Sequence, residues 1–292
     1  MGPDGGGFVR AVRGAPVALR SASCVLCLAL LVAGCGSAST VKRSENSRQA
    51  AYRAGLGQLR LSEAPLVRRL PKAPVRCIVA VAPVGSSRVA YAAVVTKEAV
   101  IRKAPHARSP VVGRLGRINE NGFREVLGVI EAHSGVRCTP DWYHVELSVL
   151  PNGTTGWVRA TAVQTYRVRS RIVVDLSQRQ LRLYRSGTLA FETPVAVGTS
   201  ATPTPRGRYF VNERYVLPDA SGPFGPNALG ISAHSNALQH TWVQDGPIGI
   251  HGTNEPLSIG QAASHGCIRV ANDAMRRLFP LAPAGTPVIV KD

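Results

Sequence analysis

The chain is 292 residues long and carries a formal net charge of +18. That length holds two modest domains with real cores plus tails, and 29 Gly with 21 Pro favour strands and turns over long helices. The charge serves either as a solubilising surface or as a lure for an anionic partner, lipid or acidic wall polymer; a nucleic-acid role drops out, because no zinc finger, aromatic-and-basic RNA signature or uniform basic helix is present.

Residues 1–35 read as a targeting signal. Arg10, Arg13 and Arg20 precede the apolar run "SASCVLCLALLVAG", which is short for a membrane span. The run ends in "LVAGC", which resembles a bacterial lipobox. That resemblance implies cleavage before Cys35 and acylation of its sulfur, with several chains giving a stable anchor. The rest of the chain is then exported to an oxidising compartment, at the outer face of the cytoplasmic membrane or in the wall.

Six cysteines are present. Cys24, Cys27 and Cys35 belong to the signal, so the mature chain keeps Cys77, Cys138 and Cys267. An odd number leaves one unpaired. Cys77 and Cys138 flank one segment and can bridge, which makes Cys267 the free thiol. A free thiol outside the cell is open to oxidation, so its retention points to a use.

Residues 36–93 are Arg-rich and Pro-punctuated, and read as a tether that carries the rest past the membrane surface. Residues 94–166 change to short alternating runs separated by Gly, Pro and Asn, as in a small barrel. The order "VIRKAP", "WYHV", "GWV" resembles the bacterial SH3-like domain. Two roles stay open for it: wall binding, or positioning its neighbour. Trp142 and Trp157 are expected in the barrel core.

Residues 169–292 form the second domain. "RIVVDL" and "QLRLYR" flank the polar "SQRQ" and predict a hairpin. "TPTPRGRYFV", "PFGPNALGIS" and "PIGIHGTNEP" follow. The segment "PDASGPFGPNALGISAHSNALQHTW" is expected to be long and mobile, and to hold substrate contacts. One short helix comes late: Asn272 is placed to cap it, and Met275, Leu278 and Phe279 form its apolar face. "GTPVIVKD" closes as a strand.

The chemistry concentrates in "SHGCIRV". A thiol nucleophile needs a base, a positively polarised setting and oxyanion donors. Gly266 lets the backbone bend closely round a substrate, and the amides of Gly266 and Cys267 are placed to face an oxyanion. On an extended stretch Arg269 shares a face with Cys267. It can hold a substrate carboxylate, lower the thiol pKa, or pair with Asp273 or another carboxylate. Two histidines compete as base. His251 ends an apolar strand beside Gly252, a rigid platform, and is preferred; His265 is expected to pack or shape the loop. A zinc site from His251, His265 and Cys267, with His234 and His240 as spares, is the rival, but the spacing fits no familiar zinc pattern.

"PIGIHGTNEP" followed by "SHGCIRV" closely resembles the L,D-transpeptidase catalytic domain, and "TPTPRGRYFV" and "PFGPNALG" are similar to that family's upstream strands. The resemblance implies a mainly β protein: a small SH3-like barrel, then a β-sandwich-like catalytic domain with a short helix after the cysteine. It implies a cysteine enzyme acting on peptidoglycan stem peptides, with no metal or organic cofactor. By matched position Cys267 is the nucleophile, His251 the base, Gly266 an oxyanion donor, and Arg269, His265 and Gly252 substrate contacts. Ser264 matches a catalytic-motif serine, although a serine before a tight loop can also serve only the backbone. Hydrolysis, D-amino-acid exchange or a non-catalytic wall-binding lipoprotein are the alternatives. Papain-like wall hydrolases place the cysteine before the histidine. Sortase-like enzymes lack Ser-His-Gly before the cysteine. Oligomeric state is not readable from the sequence.

Overall fold

A computed structural model describes residues 80–135, 139–238 and 246–292. The signal with Cys35, the tether up to residue 79, Cys77, Cys138 and His240 lie outside these residues.

Eight strands form the first sheet. They are β1 (Ala80–Pro83), β2 (Ala90–Val95), β3 (Ala99–Arg102), β4 (Val111–Leu115), β5 (Val126–Ser134), β6 (Pro140–Glu146), β7 (Thr155–Arg159) and β8 (Val163–Val168). Their order is β4-β3-β7-β6-β5-β2-β8, with β1 on β5. The nine-residue β5 shares one edge between two strands: Val126–Val129 pair with β2, and Glu131–Ser134 with β1. The sheet therefore begins before residue 94. Residues 80–83 and 90–93, expected in the tether, are already strands, because their backbone groups pair with the long β5. The period-two pattern turns Ala93, Val95, Ile101, Leu127 and Val145 into one buried cluster. Trp142 and Trp157 are buried. Trp157 stacks on His144 at 4.8 Å, and the Arg159 guanidinium lies 4.4 Å over the Trp142 ring.

The second domain holds β9 (Ser170–Asp175), β10 (Gln180–Arg185), β11 (Thr188–Gly198), β12 (Gly207–Val216), β13 (Asn227–His234), β14 (Pro247–His251), β15 (Ala262–Ser264), β16 (Ile268–Val270), helix α1 (Asn272–Leu278) and β17 (Pro287–Lys291). The order is β10-β9-β17-β12-β13-β14-β16-β11-β15, and a further β10–β11 pairing closes a circuit of eight strands. Two long strands make the corners. β11 pairs with β10 through Pro194 and with β16 from Val195. β12 pairs with β17 through Phe210 and with β13 from Val211. The circuit thus has two faces over one core of Ile, Leu and Val.

The "SQRQ" hairpin is present: β9 and β10 pair from Asp175–Gln180 to Ser170–Arg185. Asp175 Oδ1 accepts from Ser177 Oγ at 2.8 Å and from the Gln178 amide at 2.9 Å, a local turn bonded by its own carboxylate. Met275 and Leu278 of α1 are fully buried. Asn272 does not cap the helix: the cap position is Ala271, with no side-chain bond. The segment expected to be one mobile stretch contains β13, whose Leu229, Ile231 and Ala233 are core residues and hold it between β12 and β14.

The two sheets meet over a third apolar cluster, in which Phe210 of β12 packs on Ala92, Val126 and Val168. Polar contacts also join the two sheets. Tyr166 Oη donates to the Ala284 carbonyl at 3.0 Å, and burial raises its pKa. The Asn152 amide exchanges two bonds with the His234 backbone, at 2.7 and 2.9 Å. Glu213 accepts from the Asn119 and Asn121 amides at 2.5 and 2.9 Å. Glu125 nearby is raised to about 7, first by burial and then by the Glu213 and Glu120 charges.

Candidate active site

Strands β14 and β16 run parallel, with Ile250 opposite Ile268 and His251 opposite Arg269. Alternation sorts their side chains. Ile248, Ile250, Ile268 and Val270 go into the core and fix both strands. Cys267 and Arg269, between them in sequence, are both partly exposed. One step before the Ile250–Ile268 pair, the Gly249 amide donates to Cys267 Sγ at 3.4 Å. The same register sets His251, two residues beyond Gly249, opposite Arg269.

His251 is 5% exposed. Its Nδ1 lies 2.6 Å from the Gly252 carbonyl. A carbonyl only accepts, so Nδ1 carries the proton and Nε2 keeps its lone pair. Phe224 meets the imidazole in a T-shaped contact at 5.0 Å between centroids, while remaining half exposed. Burial lowers the His251 pKa to about 4; the Gly252 bond opposes this shift, and the Arg269 charge adds to it. Burial raises the Cys267 thiol above its ordinary value, against the Gly249 bond and Arg269, which lower it. Both partners are therefore neutral near pH 7. The arrangement suits proton transfer from thiol to imidazole during attack rather than a preformed ion pair.

The arginine has a partner that the sequence reading left open. Arg269 Nη1 meets Glu255 Oε2 at 2.6 Å, not Asp273, and Glu255 is much the more exposed of the two. Glu255 is placed by the loop after His251, where its amide donates to Thr253 Oγ1 at 2.9 Å.

Ser264 is 2% exposed, and its hydroxyl bonds within its own loop. Its hydroxyl donates to the Cys267 carbonyl at 2.6 Å and accepts from the Gly266 amide at 3.1 Å. The Ser264 hydroxyl therefore braces the turn, and the Gly266 amide, expected as an oxyanion donor, points at that hydroxyl. Gly266 earns its place by shape: its φ is +113°, and a Cβ there would sit 2.9 Å from Ile248 Cδ1. His265 is exposed. Gly252 is buried, and its carbonyl accepts from His251 Nδ1.

Sequence reading missed the loop that holds this turn from below. Thr204 Oγ1 donates to the Gly266 carbonyl at 2.9 Å and accepts from the Gly198 amide at 2.8 Å. Thr202 Oγ1 and the Thr199 amide both reach the Ser264 carbonyl. The signal was visible in the small hydroxyl residues of "TSATPTP", but nothing local tied them to a loop some sixty residues on. Ser264→Ala is expected to leave one buried amide and one buried carbonyl unpaired and to cost about 1–3 kcal/mol, with acylation slowed in proportion. Urea unfolding beside acylation rates checks this; a lost rate at unchanged stability would return Ser264 to a chemical role.

The second domain is similar to known proteins. Residues 169–290 match the YkuD family, described as the L,D-transpeptidase catalytic domain. Two curated YkuD proteins named as L,D-transpeptidases are similar. That of Bacillus licheniformis is 42% identical over 120 residues, 41% of this chain and 64% of the relative. That of Bacillus subtilis is 36% identical over 125 residues, 43% of this chain and 68% of the relative. The solved catalytic domain of an Enterococcus faecium L,D-transpeptidase is 26% identical, with a TM-score of 0.31, covering 41% of this chain and 95% of that one. This chain therefore spans less than two thirds of the Bacillus licheniformis protein. With a family match across the whole second domain and this identity over two thirds of the Bacillus subtilis relative, the chain belongs to the YkuD family of L,D-transpeptidase catalytic domains.

Proposed function

We propose that the protein is an L,D-transpeptidase that joins the third residues of neighbouring peptidoglycan stem peptides through a thioester on Cys267. The observation that carries this reading is the protonation pattern beside the thiol. The Gly252 carbonyl accepts a hydrogen bond from Nδ1–H of His251, leaving Nε2 as the base on the strand next to Cys267.

In the first step His251 Nε2 takes the thiol proton as Cys267 Sγ attacks the carbonyl of the third residue of a tetrapeptide stem. The peptide bond to the terminal D-alanine breaks, and His251 returns the proton to the departing amine. The Cys267 amide is the remaining candidate of the two expected oxyanion donors. In the second step an amine of another stem attacks the thioester, His251 takes its proton, and the thiolate leaves and is reprotonated. Arg269, held by Glu255, supplies positive charge beside both groups, consistent with a carboxylate-bearing substrate. The lipobox-like sequence ending in Cys35 supports a site for this chemistry outside the cytoplasmic membrane. The polar contacts from Asn119, Asn121 and Asn152 to the second domain favour a positioning role for the first.

A carbapenem tests the reading, because its strained ring carbonyl is an activated acyl donor. Intact-protein mass should rise by one drug molecule, with the label on the Cys267 peptide. Muropeptides from cells expressing the protein should gain links between third residues. An unlabelled protein at long exposure would sink the proposal.

A further inference from the structure

We propose that Asn272 is a positioning residue for His251, acting through the single peptide group that joins Gly252 to Thr253. Asn272 Oδ1 accepts from the Thr253 amide at 2.7 Å. The carbonyl of that same peptide group, on Gly252, accepts the Nδ1 proton of His251 at 2.6 Å. One rigid plane thus carries both bonds: Asn272 fixes the N–H end, and so the carbonyl end is aimed at the imidazole. The side-chain amide does from the opposite edge of a peptide what a carboxylate bonded directly to the ring does in other base assemblies. Polarisation runs in the same sense along the chain of bonds, since each one strengthens its neighbour.

The surroundings leave Asn272 little room to do otherwise. A Cβ on Gly252 would lie 2.4 Å from Asn272 Oδ1, and one on Gly225 would lie 2.2 Å from it. The two glycines therefore clear a slot for this side chain, and Gly225 follows Phe224, whose ring packs T-shaped against His251. Asn272 Nδ2 also donates to the Ala220 carbonyl of the same covering loop, at 3.3 Å. Asn272 itself stands three residues after Arg269, at the start of α1. It thereby ties the strand bearing the nucleophile to the loop bearing the base.

The inference rests on the reading of His251 as the base, but one of its tests does not. The first readout is the tautomer of His251 in ¹⁵N-histidine-labelled full chain, from two-bond ¹H–¹⁵N correlations near pH 7. Wild type should show the proton on Nδ1. Asn272→Ala should shift the population toward a proton on Nε2. Asn272→Asp keeps an oxygen for the Thr253 amide but loses the donor to Ala220, and it should keep the Nδ1 proton. The second readout is carbapenem acylation. Asn272→Ala should slow the maximal rate about ten- to hundred-fold with little change in half-saturation, and Asn272→Asp should recover most of it. If Asn272→Ala lowers only the melting temperature, with tautomer and rate intact, the residue is structural and the proposal fails. If both variants are impaired alike, the Ala220 contact carries the effect and the peptide route is wrong. A wild type that forms no adduct would refute the proposed function alone, with the tautomer experiment still deciding the role of Asn272.

Discussion

Cys267→Ala is expected to abolish covalent labelling by carbapenem and the formation of links between third residues, with a rate loss on the order of 10⁴-fold or more. The size follows from what is lost. No other side chain on the exposed face of β14 and β16 offers a nucleophile: the neighbours there are Gly249, His251 and Arg269. Ser264 cannot substitute, since its hydroxyl already gives its proton to the Cys267 carbonyl. The fold should be little changed. The thiol is partly exposed, and its polar contacts are a weak bond from the Gly249 amide and a 4.0 Å approach to the Pro247 carbonyl. Removing one sulfur from such a site alters stability by about 1 kcal/mol or less. Circular dichroism, thermal melting and intact mass on matched samples test both halves. A variant that still acquires the drug would place the nucleophile elsewhere.

How far the site could be read in advance depends on sequence separation. "SHGC" and "IHG" are each short, and strand alternation decides which side chains share a face once the strands are extended. The hairpin around "SQRQ" and the apolar face of α1 were legible for the same reason: each is set by periodicity within about ten residues. The Arg269 partner was not, because Glu255 lies fourteen residues away across a turn, and several carboxylates were equally plausible. Asn272 misled for a physical reason. An asparagine at a helix start usually caps it, but here the side chain has a stronger claim from the Thr253 amide. Ser264 was ambiguous because a hydroxyl suits a loop brace as well as a substrate contact, and only the bond partners separate the two. The junction of the two sheets was invisible: Asn119 and Glu213 are ninety-four residues apart, and neither belongs to a motif. The start of the first sheet was placed too late because "AVAP" looks like tether until β5 is long enough to pair with it.

Replacing His251 should give the second large effect, and it separates catalysis from stability by pH. His251→Gln keeps approximate volume and removes the base, so acylation should fall about 10²- to 10⁴-fold. In wild type the base must be unprotonated. Because burial holds the imidazole near 4 instead of its ordinary 6.5, acylation should stay high down to about pH 5 and fall as pH drops through about 4. The same shift affects stability. Between 6.5 and 4 the unfolded chain binds a proton at this residue and the folded chain does not. Unfolding is then favoured as pH falls, and the loss reaches about 3 kcal/mol once the window is crossed. His251→Gln lacks this proton uptake. Its stability should therefore decline less steeply than that of wild type between pH 6.5 and 4, even though its activity is lost at every pH. Denaturant unfolding of both proteins at several pH values, beside wild-type acylation rates over the same range, measures both predictions. An acid limb at 6.5 with parallel stability curves would mean that His251 is open to water in solution. The neutral thiol–imidazole pair, on which the order of proton transfer rests, would then have to be abandoned for an ion pair formed before substrate arrives.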